Sequence, residues 1–457
     1  MAVRLWKAIP VQREAYKGFP LPVQGFYNGK RGTKYLQLPI KPRFTRGSAL
    51  LSLAEATSSR RGRLLRQVEM LSDKHQKKWH LRFLCIFIAI SAIAGAQVPE
   101  ERTPGRILPP EYAGILLMES RVETEQPAKT LQFMGLKDGD IVADVGCGNG
   151  FFTLRLAKEV GPHGVVFAVD VQQGMLDQLA QRQKEANISN VYPVLGRYED
   201  PLLPPGKIDW ILLVDAYHEF SNPEAMLVRM KGSLVPGGRI VLIEYRGERG
   251  PSRSRFAMPR DHAMTVDEVV NEWSPAGFEL VTRVEFLPTQ HLFVFKNADD
   301  KSRPAIRKLT IENTPNVSTF DNRVYFAGQP DQEALKQFAD FGVRTVINLR
   351  TDQELAGLGF DEKAVVEEAG MTYIHAPMGS EIPDASTLQK IMIALDTAAD
   401  APVLLHCSNS MRVGAIWSIY AGRQGNLTVD EAIAEGKDAG VNTSVFEDAA
   451  REALSKH

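Results

Sequence analysis

Two short segments of this 457-residue sequence combine residue types that can do chemistry. In the first, Asp144-Val145-Gly146-Cys147-Gly148-Asn149-Gly150, three glycines alternate with other residues. Glycines let the backbone adopt positive φ and approach a ligand without a Cβ in the way. In the second, Cys407-Ser408-Asn409-Ser410-Met411-Arg412, a thiol and a guanidinium stand at the two ends of one loop. A thiolate can act as a nucleophile, and an arginine can hold a tetrahedral oxyanion.

The elements around the glycine turn predict a nucleotide-binding unit. Ile141-Val142-Ala143 predicts a buried strand, and residues 151–160 have apolar positions at helix spacing. A strand, a glycine turn and a helix form half of a Rossmann-type unit. A second apolar run, Val165–Val169, ends in Asp170, 20 positions beyond Gly150. A carboxylate there can accept hydrogen bonds from both hydroxyls of a ribose.

The same pattern continues along the chain to about residue 297. The predicted elements are a helix over 172–186, strands Val191–Leu195, Ile208–Val214 and Ile240–Tyr245, a Pro-Gly-Gly turn over 234–239, and two successive strands, Phe278–Phe286 and His291–Phe295. With the D-x-G-x-G-x-G turn, this order resembles class I S-adenosylmethionine-dependent methyltransferases over about residues 106–297. Two strands without a helix between them match the antiparallel end hairpin of that fold.

The resemblance implies S-adenosylmethionine as the cofactor and a small-molecule or protein methyl acceptor. It assigns cofactor contacts to Asp144, Gly146, Gly148, Asn149, Gly150, Asp170, Val171, Tyr198, Asp200 and Asp215. Arg197 stands where many members carry an acid, so Tyr198 and Asp200 are the candidates for the adenine contact. A general base is needed only if the acceptor is protonated. His218 is the candidate and His262 the second choice, although a histidine that packs the loop fits equally well.

The cysteine segment follows a second α/β pattern. Val324–Pro330 precedes predicted helices over 331–340, 361–369, 384–398 and 413–424, with strands Thr345–Leu349, Thr372–His375 and Val403–His406. With His406, the loop resembles the phosphate loop of cysteine-dependent tyrosine and dual-specificity phosphatases, and the whole stretch a bacterial phosphatase-like family. The resemblance makes Cys407 the nucleophile and Arg412 the oxyanion clamp, with Asp384 and then Glu381 as candidate general acids.

The cysteine loop also departs from the phosphatase pattern. Four residues separate Cys407 from Arg412. Phosphatases have five, and four is the spacing of rhodanese-type sulfurtransferases. Val413 stands where a hydroxyl residue is usual. Phosphatase activity, sulfur transfer and a non-catalytic anion-binding module therefore all remain open for this domain.

Composition narrows the classes of partner. The chain has a formal net charge of -1, but the residues through Arg82 carry 18 Lys+Arg against 4 Asp+Glu, which leaves 36 basic and 51 acidic residues in the remainder. The acidic body argues against nucleic acid as the main partner. The three cysteines cannot form a disulfide framework and lack metal-ligand spacing, so no metal site is predicted.

The N-terminal residues predict export. Residues 1–69 are basic and aperiodic, which predicts a disordered or non-translated extension with translation starting at Met70. Four basic residues over 74–82 precede the apolar run Phe83–Ala96, which ends in Ala94-Gly95-Ala96. That is the anatomy of a signal peptide over 70–96. The run is shorter than the ~18 residues of a membrane span. We expect a periplasmic or secreted protein that meets the membrane only during export; a cytoplasmic or membrane-anchored protein is the alternative.

The sequence thus predicts an α/β protein of two domains. A Rossmann-like seven-stranded methyltransferase domain over 97–298 is followed by a linker over 299–308 and a smaller phosphatase-like cysteine P-loop domain over 309–457. The predicted function is methyl transfer to an unidentified acceptor. A scaffold that binds ligands without chemistry is the rival class. Export would carry the chain away from the cytoplasm, where S-adenosylmethionine is made.

We predict a mature N-terminus at Gln97 when the gene is expressed in its own host. Signal peptidases cleave after small-x-small sequences, and Ala94-Gly95-Ala96 provides one. N-terminal sequencing of the protein from fractionated cells checks this. An intact cytoplasmic chain that begins at Met1 would overturn the prediction.

Overall fold

The computed structural model describes residues 103–248 and 259–456. The predicted extension over 1–69 and the signal peptide over 70–96 lie outside the described residues and stay predictions. Among the residues that are described, we find no helix with the length and apolar character needed to cross a membrane.

The first sheet has the predicted Rossmann-like architecture. Its order is β3-β2-β1-β4-β5-β7-β6, with β1 to β5 parallel and β7 antiparallel to both of its neighbours. The order reverses at β1, which lies between β2 and β4, and such a switch point is where open α/β sheets bind ligands. The strands are β1 (Ile141–Val145), β2 (Val165–Asp170), β3 (Val191–Leu195), β4 (Ile208–Val214), β5 (Leu234–Tyr245), β6 (Phe278–Val284) and β7 (Gln290–Asn297).

Helices surround this sheet, because its central strands are mostly apolar and need cover on both faces. One difference from the sequence expectation matters for the site. The helix after the glycine turn begins at Thr153, because the residues before it complete the turn. The helices are α1 (Ser120–Glu125), α2 (Pro127–Met134), α3 (Thr153–Glu159), α4 (Gln173–Glu185), α5 (Pro223–Ser233) and α6 (Val266–Trp273), with 3₁₀ helices at Pro110–Leu117, Tyr217–Glu219 and Arg260–His262.

The Pro-Gly-Gly segment lies within β5, which begins at Leu234, so the predicted strand start at Ile240 is wrong. Ile208 pairs with Leu234 and Trp210 pairs with Arg239, so residues 235–238 bulge out opposite a single residue of β4. Gly237 has φ +82°, a conformation that favours glycine at the bulge.

The second sheet has the order β12-β11-β13-β10-β9-β8, with its first four strands parallel and β9 and β8 antiparallel. Sequence reasoning missed β8 and β9, which have three residues each, and the helices α8, α12 and α13. The strands are β8 (Ile306–Lys308), β9 (Ser318–Phe320), β10 (Val324–Ala327), β11 (Thr345–Asn348), β12 (Thr372–His375) and β13 (Val403–His406). The helices are α7 (Gln332–Asp340), α8 (Asp352–Ala356), α9 (Glu362–Glu368), α10 (Ala385–Asp396), α11 (Met411–Arg423), α12 (Val429–Ala439) and α13 (Ser444–Ser455).

The segment predicted as a linker, 299–308, joins two parts that share one core. Its Asp300 carboxylate accepts a hydrogen bond from the Gly237 N–H at 2.6 Å, and its last residues form β8. Phe133 of the first part and Phe341 of the second meet edge to face with ring centroids 5.2 Å apart. The two parts are therefore packed together and do not hang on a free tether.

A buried ion pair crosses this junction. Arg239 on β5 donates from Nη2 to Asp321 Oδ1 at 2.6 Å and from Nε to the same oxygen at 3.1 Å. Arg239 is 3 % exposed and Asp321 is 4 % exposed. Removing one member of a buried pair leaves the other charge without compensation in a low-dielectric environment.

We predict that Asp321→Asn lowers the free energy of unfolding by about 3 kcal/mol, because it leaves Arg239 buried without its counter-charge. Asparagine tolerates the positive φ of +56° at this position. Asp430→Asn removes one of the two acidic partners of the exposed Arg451 and should cost about 1 kcal/mol or less. Urea denaturation of both variants measures this difference. Equal costs would contradict the assigned role of the buried pair.

Candidate active site

A cavity of about 800 Å³ opens at the carboxyl ends of β1, β2 and β4. The carboxyl ends of parallel strands meet at one edge of the sheet, so the glycine turn, Asp170 and Asp215 all reach this cavity. The 3₁₀ helix Pro110–Leu117 contributes Ile115 and Leu116 to its wall. The sequence-predicted contacts are thus brought together with two exceptions, Gly150 and Asp200.

The glycines of the turn have different tasks. Gly148 has φ +51°, and a Cβ there would meet only Leu116 Cδ1, at 2.8 Å. Gly150 does not line the cavity among the described residues, and a Cβ there would lie 2.3 Å from Leu179 Cδ1 on α4. Gly148 therefore lets a ligand approach the backbone, whereas Gly150 lets a helix pack closely against the turn.

Asp170 holds the turn and keeps acceptor capacity for a ligand. Its Oδ2 accepts from the Gly148 N–H at 2.9 Å, and its Oδ1 accepts from the Gln172 N–H at 2.8 Å. Burial raises the pKa of Asp170, and these backbone hydrogen bonds partly oppose the shift. A carboxylate has about four acceptor positions, so acceptor capacity remains for hydroxyl groups of a ligand.

Asp144 and Cys147 serve the structure of the turn. The Thr153 hydroxyl donates to Asp144 Oδ2 at 2.6 Å, which ties β1 to the start of α3. Burial raises the pKa of Asp144 to about 6. Burial, with Asp144 and Asp170 nearby, also raises the pKa of the Cys147 thiol, so this cysteine is not a reactive thiolate.

Two buried acceptor atoms in the cavity wall have no hydrogen-bond partner among the described residues. They are Asn149 Oδ1 and Asp215 Oδ1. The rest of each side chain is fixed: Asn149 Nδ2 donates to the Ala113 carbonyl at 2.9 Å, and Gln290 Nε2 donates to Asp215 Oδ2 at 2.8 Å. Buried polar atoms are normally paired. Two unpaired acceptors in one cavity fit a ligand that carries a positively charged donor such as an ammonium group.

One of the two side chains predicted to contact adenine lines the far end of the cavity. Val171 and Tyr198 line it, and Tyr198 is 53 % exposed, so its ring is free to stack on a base. Asp200 lies outside the lining. Its carboxylate accepts from the Leu202 N–H at 2.8 Å and lies 3.5 Å from Arg229, so it stabilises its own turn instead.

His218 lies at the opposite end, in the 3₁₀ helix after β4, and is 3 % exposed. Its Nδ1 lies 2.6 Å from Oε2 of Glu244, and its Nε2 lies 3.0 Å from Nδ1 of His262. Burial lowers the pKa of His218, but the charge and hydrogen bond of Glu244 together with the charges of Asp215 and Glu219 outweigh it, so the net direction is upward. Burial and the neighbouring His218 lower the pKa of His262. This arrangement can accept a proton or bind a cation.

Sequence reasoning missed Glu244 and Glu219. Glu244 is fully buried within the apolar run of β5, and an acid inside such a run is the signal that could have identified it. Glu219 directly follows His218 and lines the cavity. Burial raises the pKa of Glu219 to about 7, against the opposing effect of His218.

The cysteine loop leaves the end of β13 as predicted, but it is closed. Cys407 has no exposed surface, and its Sγ accepts from the Ser410 N–H at 3.1 Å. Ser410 has φ +76°, which produces the sharp turn into α11 that the short loop needs. The thiol therefore lies at the base of the loop, where the inward-facing N–H of Ser410 binds it.

The terminal nitrogens of Arg412 donate hydrogen bonds to acceptors within the protein. Nη1 contacts the carbonyls of Leu349 and Met378 at 3.1 and 2.9 Å, and both terminal nitrogens contact the Glu354 carboxylate at 2.8 and 2.5 Å. Nη2 also contacts Ser408 Oγ at 3.1 Å. The hydrogen bond from Arg412 lowers the pKa of Glu354 to about 2. The fork that a phosphatase would present to an oxyanion is already occupied.

Asp384, the candidate general acid, is the exposed N-cap of α10. Its carboxylate accepts from the N–H groups of Ser386 and Thr387 at 2.9 and 3.0 Å and from the Thr387 hydroxyl at 2.9 Å. These hydrogen bonds lower the pKa of Asp384, so it holds a proton less readily than a free aspartate. The structure thus gives Asp384 a capping task and places the other candidate, Glu381, on the surface.

Residues 136–285 match the family model of a methyltransferase domain, and residues 317–425 match that of the phosphatase-like domain of beta-lactamase hydrolase-like protein. This chain contains a methyltransferase domain. The resemblances seen in the sequence, and the mixed α/β fold with its seven-stranded sheet, are confirmed. The methyltransferase domain supports S-adenosylmethionine as the cofactor, and the wall of the cavity fits it.

Individual relatives cover only part of this chain. A demethylmenaquinone methyltransferase of Geobacillus sp. is 29% identical over 115 residues, which are 25% of this chain and 49% of that protein. A Staphylococcus aureus protein of the same name is 29% identical over 116 residues, 25% of this chain and 47% of that protein. The chain spans about half the length of the curated relatives it matches. A solved SAM-dependent methyltransferase from Aquifex aeolicus is 27% identical, with a TM-score of 0.39, over 41% of this chain and 98% of that one.

Proposed function

We propose that the methyltransferase domain transfers a methyl group from S-adenosylmethionine to a small molecule bound beside it in the same cavity. The observation that carries the proposal is the composition of the cavity wall. The wall contains the backbone at Gly148, which a ligand can approach closely, and the Asp170 carboxylate. It also contains the unpaired acceptor atoms of Asn149 and Asp215, and the His218 cluster lies at the other end of the cavity. A volume of about 800 Å³ is within the range of small-molecule sites.

The residues of this chain bind and orient, as methyl transfer requires. S-adenosylmethionine, when bound, supplies a methyl group on a sulfonium that is already a good leaving group. Asp170 would accept hydrogen bonds from the ribose hydroxyls, and Asn149 with Asp215 would accept them from the ammonium group. Fixing the cofactor between these points aligns its methyl group toward the acceptor, and alignment lowers the barrier of a displacement.

The end of the cavity where the methyl acceptor would bind is lined by both apolar and ionisable side chains. Phe220 and Tyr245 line it together with His218, Glu219 and His262. An apolar wall with a few convergent polar groups is typical of sites for small organic molecules. We therefore favour a small organic acceptor with one polar nucleophile over a protein acceptor. The relatives named for demethylmenaquinone are compatible with this class, but the acceptor of this chain is inferred from its own cavity.

We predict that Asp170→Ala weakens the binding of S-adenosylhomocysteine at least tenfold. Hydrogen bonds to a charged group contribute about 1.5–3 kcal/mol each, and two would be lost. Isothermal titration calorimetry measures the affinity, and the melting temperature shows whether the variant folds. Asp177→Ala, which changes an exposed aspartate on α4, is the matched control and should bind like wild type. A folded Asp170→Ala variant with unchanged affinity would contradict the proposal.

For the phosphatase-like domain, we propose an anion-binding module whose cysteine loop is closed. In the conformation described, this domain would have little or no catalytic turnover. Two observations favour this over phosphatase or sulfurtransferase activity: Cys407 is fully buried, and both terminal nitrogens of Arg412 are bound by protein acceptors. A nucleophilic thiolate needs access as well as a low pKa.

We predict that iodoacetamide alkylates Cys407 in the folded protein at least about tenfold more slowly than in the urea-unfolded chain, because the thiol has no exposed surface. Mass spectrometry of the modified peptide gives the rate. Hydrolysis of an aryl phosphate should not exceed that of Cys407→Ser. Turnover that Cys407→Ser abolishes would instead establish a phosphatase, and a persulfide on Cys407 after thiosulfate would establish a sulfurtransferase.

A further inference from the structure

We propose that His218, Glu219 and His262 bind a divalent transition-metal ion at the acceptor end of the cavity. We further infer that the ion recruits an acceptor whose nucleophile is an ionisable hydroxyl or thiol. The second statement rests on the function proposed above, whereas the first does not. The sequence predicted no metal site, because His218 and His262 lie 44 residues apart in the chain.

The ligand atoms are already close to one another. One ligand atom from each of the three side chains lies within 4.8 Å of the other two, and His218 Nε2 is 3.0 Å from His262 Nδ1. Two imidazoles and one carboxylate form a donor set that suits zinc, iron and neighbouring metals. Three protein ligands leave at least one coordination position open, which is typical of metal sites that bind a substrate.

Glu244 orients His218 for this task. It is fully buried, and its Oε2 lies 2.6 Å from His218 Nδ1 while its Oε1 accepts from the His218 backbone N–H at 3.1 Å. A carboxylate on Nδ1 keeps the proton there and leaves the Nε2 lone pair facing His262 and the cavity. Histidines that bind metals commonly have such a carboxylate partner, which fixes the ring and strengthens the ligand.

Gly105 keeps the two imidazoles together from the other side. Its N–H donates to the His218 carbonyl at 2.9 Å. A Cβ at this position would lie 2.7 Å from His218 Cδ2 and 3.3 Å from His262 Nδ1. A side chain there would push the rings apart, so the backbone approach of Gly105 is part of what holds the pair at its present distance. Four separate segments of the chain, which contain Gly105, His218, Glu244 and His262, therefore converge on this cluster.

The metal would explain why a weak nucleophile can react here. An acceptor hydroxyl or thiol that coordinates the ion loses its proton to water more readily, because the cation stabilises the anion. The oxygen or sulfur then forms a bond to the methyl carbon, the carbon–sulfonium bond breaks, and its electron pair goes to the cofactor sulfur, which becomes a neutral thioether. No oxidant or reductant is needed.

The test begins with metal binding by the full chain, prepared without a histidine tag and freed of metal with a chelator. Calorimetric titration with Zn²⁺ should show one site per chain. His262→Ala and Glu219→Gln should weaken it at least tenfold, and Glu244→Gln by about 10–100-fold, because that change acts through His218. His163→Ala removes an exposed histidine that pairs with Asp138 away from the cavity lining and should leave the affinity unchanged.

A spectroscopic experiment tests the open coordination position. Co²⁺ in place of Zn²⁺ should give visible absorption bands that change when 2-mercaptoethanol, a simple thiol probe, is added to the wild type but not to His262→Ala. Absence of a Zn²⁺ site, or a site equally strong in His262→Ala and Glu219→Gln, would overturn the metal proposal. A metal site whose Co²⁺ spectrum ignores the thiol would overturn the acceptor inference alone.

The failure of this inference and that of the proposed function are distinguishable. S-adenosylhomocysteine titrations of the same variants report on Asp170 and the glycine turn, none of which touches the metal cluster. Normal binding of S-adenosylhomocysteine without a Zn²⁺ site would leave the methyltransferase proposal standing and refute the metal. A Zn²⁺ site without S-adenosylhomocysteine binding would refute the methyltransferase proposal and leave the metal site standing.

Discussion

The candidate site depends on how the end of β2 holds the glycine turn that follows β1. The N–H groups of Gly146 and Cys147 donate to the Val169 carbonyl at 2.9 and 3.0 Å, and the Gly148 N–H donates to the Asp170 carboxylate at 2.9 Å. These three hydrogen bonds fix a backbone in which the glycines have positive φ. They also hold the Asp170 carboxylate beside the turn in the wall of the cavity. The same contacts therefore build the fold and shape the ligand site.

Local patterns in the sequence account for the parts of this site that lie next to one another in the chain. The buried strands could be predicted from their apolar residues. The turn and Asp170 could be predicted because each lies at the end of such a strand. The partners of Glu244, His262 and Glu354 could not be assigned in this way. Each acts on a residue that is far away in the chain, and only the packing of whole elements brings the partners together. Asp200 is the opposite case, since it is near the site in the sequence but lies outside the cavity wall, where its carboxylate binds its own turn.

The junction between the two domains shows how one bulge serves several elements. The extra residues of β5 open the strand so that Gly237 can donate to Asp300, and they leave Arg239 buried opposite Asp321. Asn322 then donates to the Phe133 carbonyl at 2.9 Å beside the shared aromatic core. A charge pair buried this deeply is costly to break. We therefore expect the two domains to unfold as one unit, which a free linker would not have required.

The two candidate sites differ most in where their polar atoms are satisfied. In the methyltransferase cavity, Asn149 Oδ1 and Asp215 Oδ1 are buried without partners among the described residues, and His218 and His262 line the same cavity. In the cysteine loop, the thiol accepts a backbone N–H and the Arg412 fork is bound by Glu354 and main-chain carbonyls. Leaving a buried polar atom unpaired costs stability, so such atoms persist where a ligand completes them. The first site thus presents unpaired acceptors to a ligand, whereas at the second the pair between Arg412 and Glu354 would have to break before the loop could bind an oxyanion.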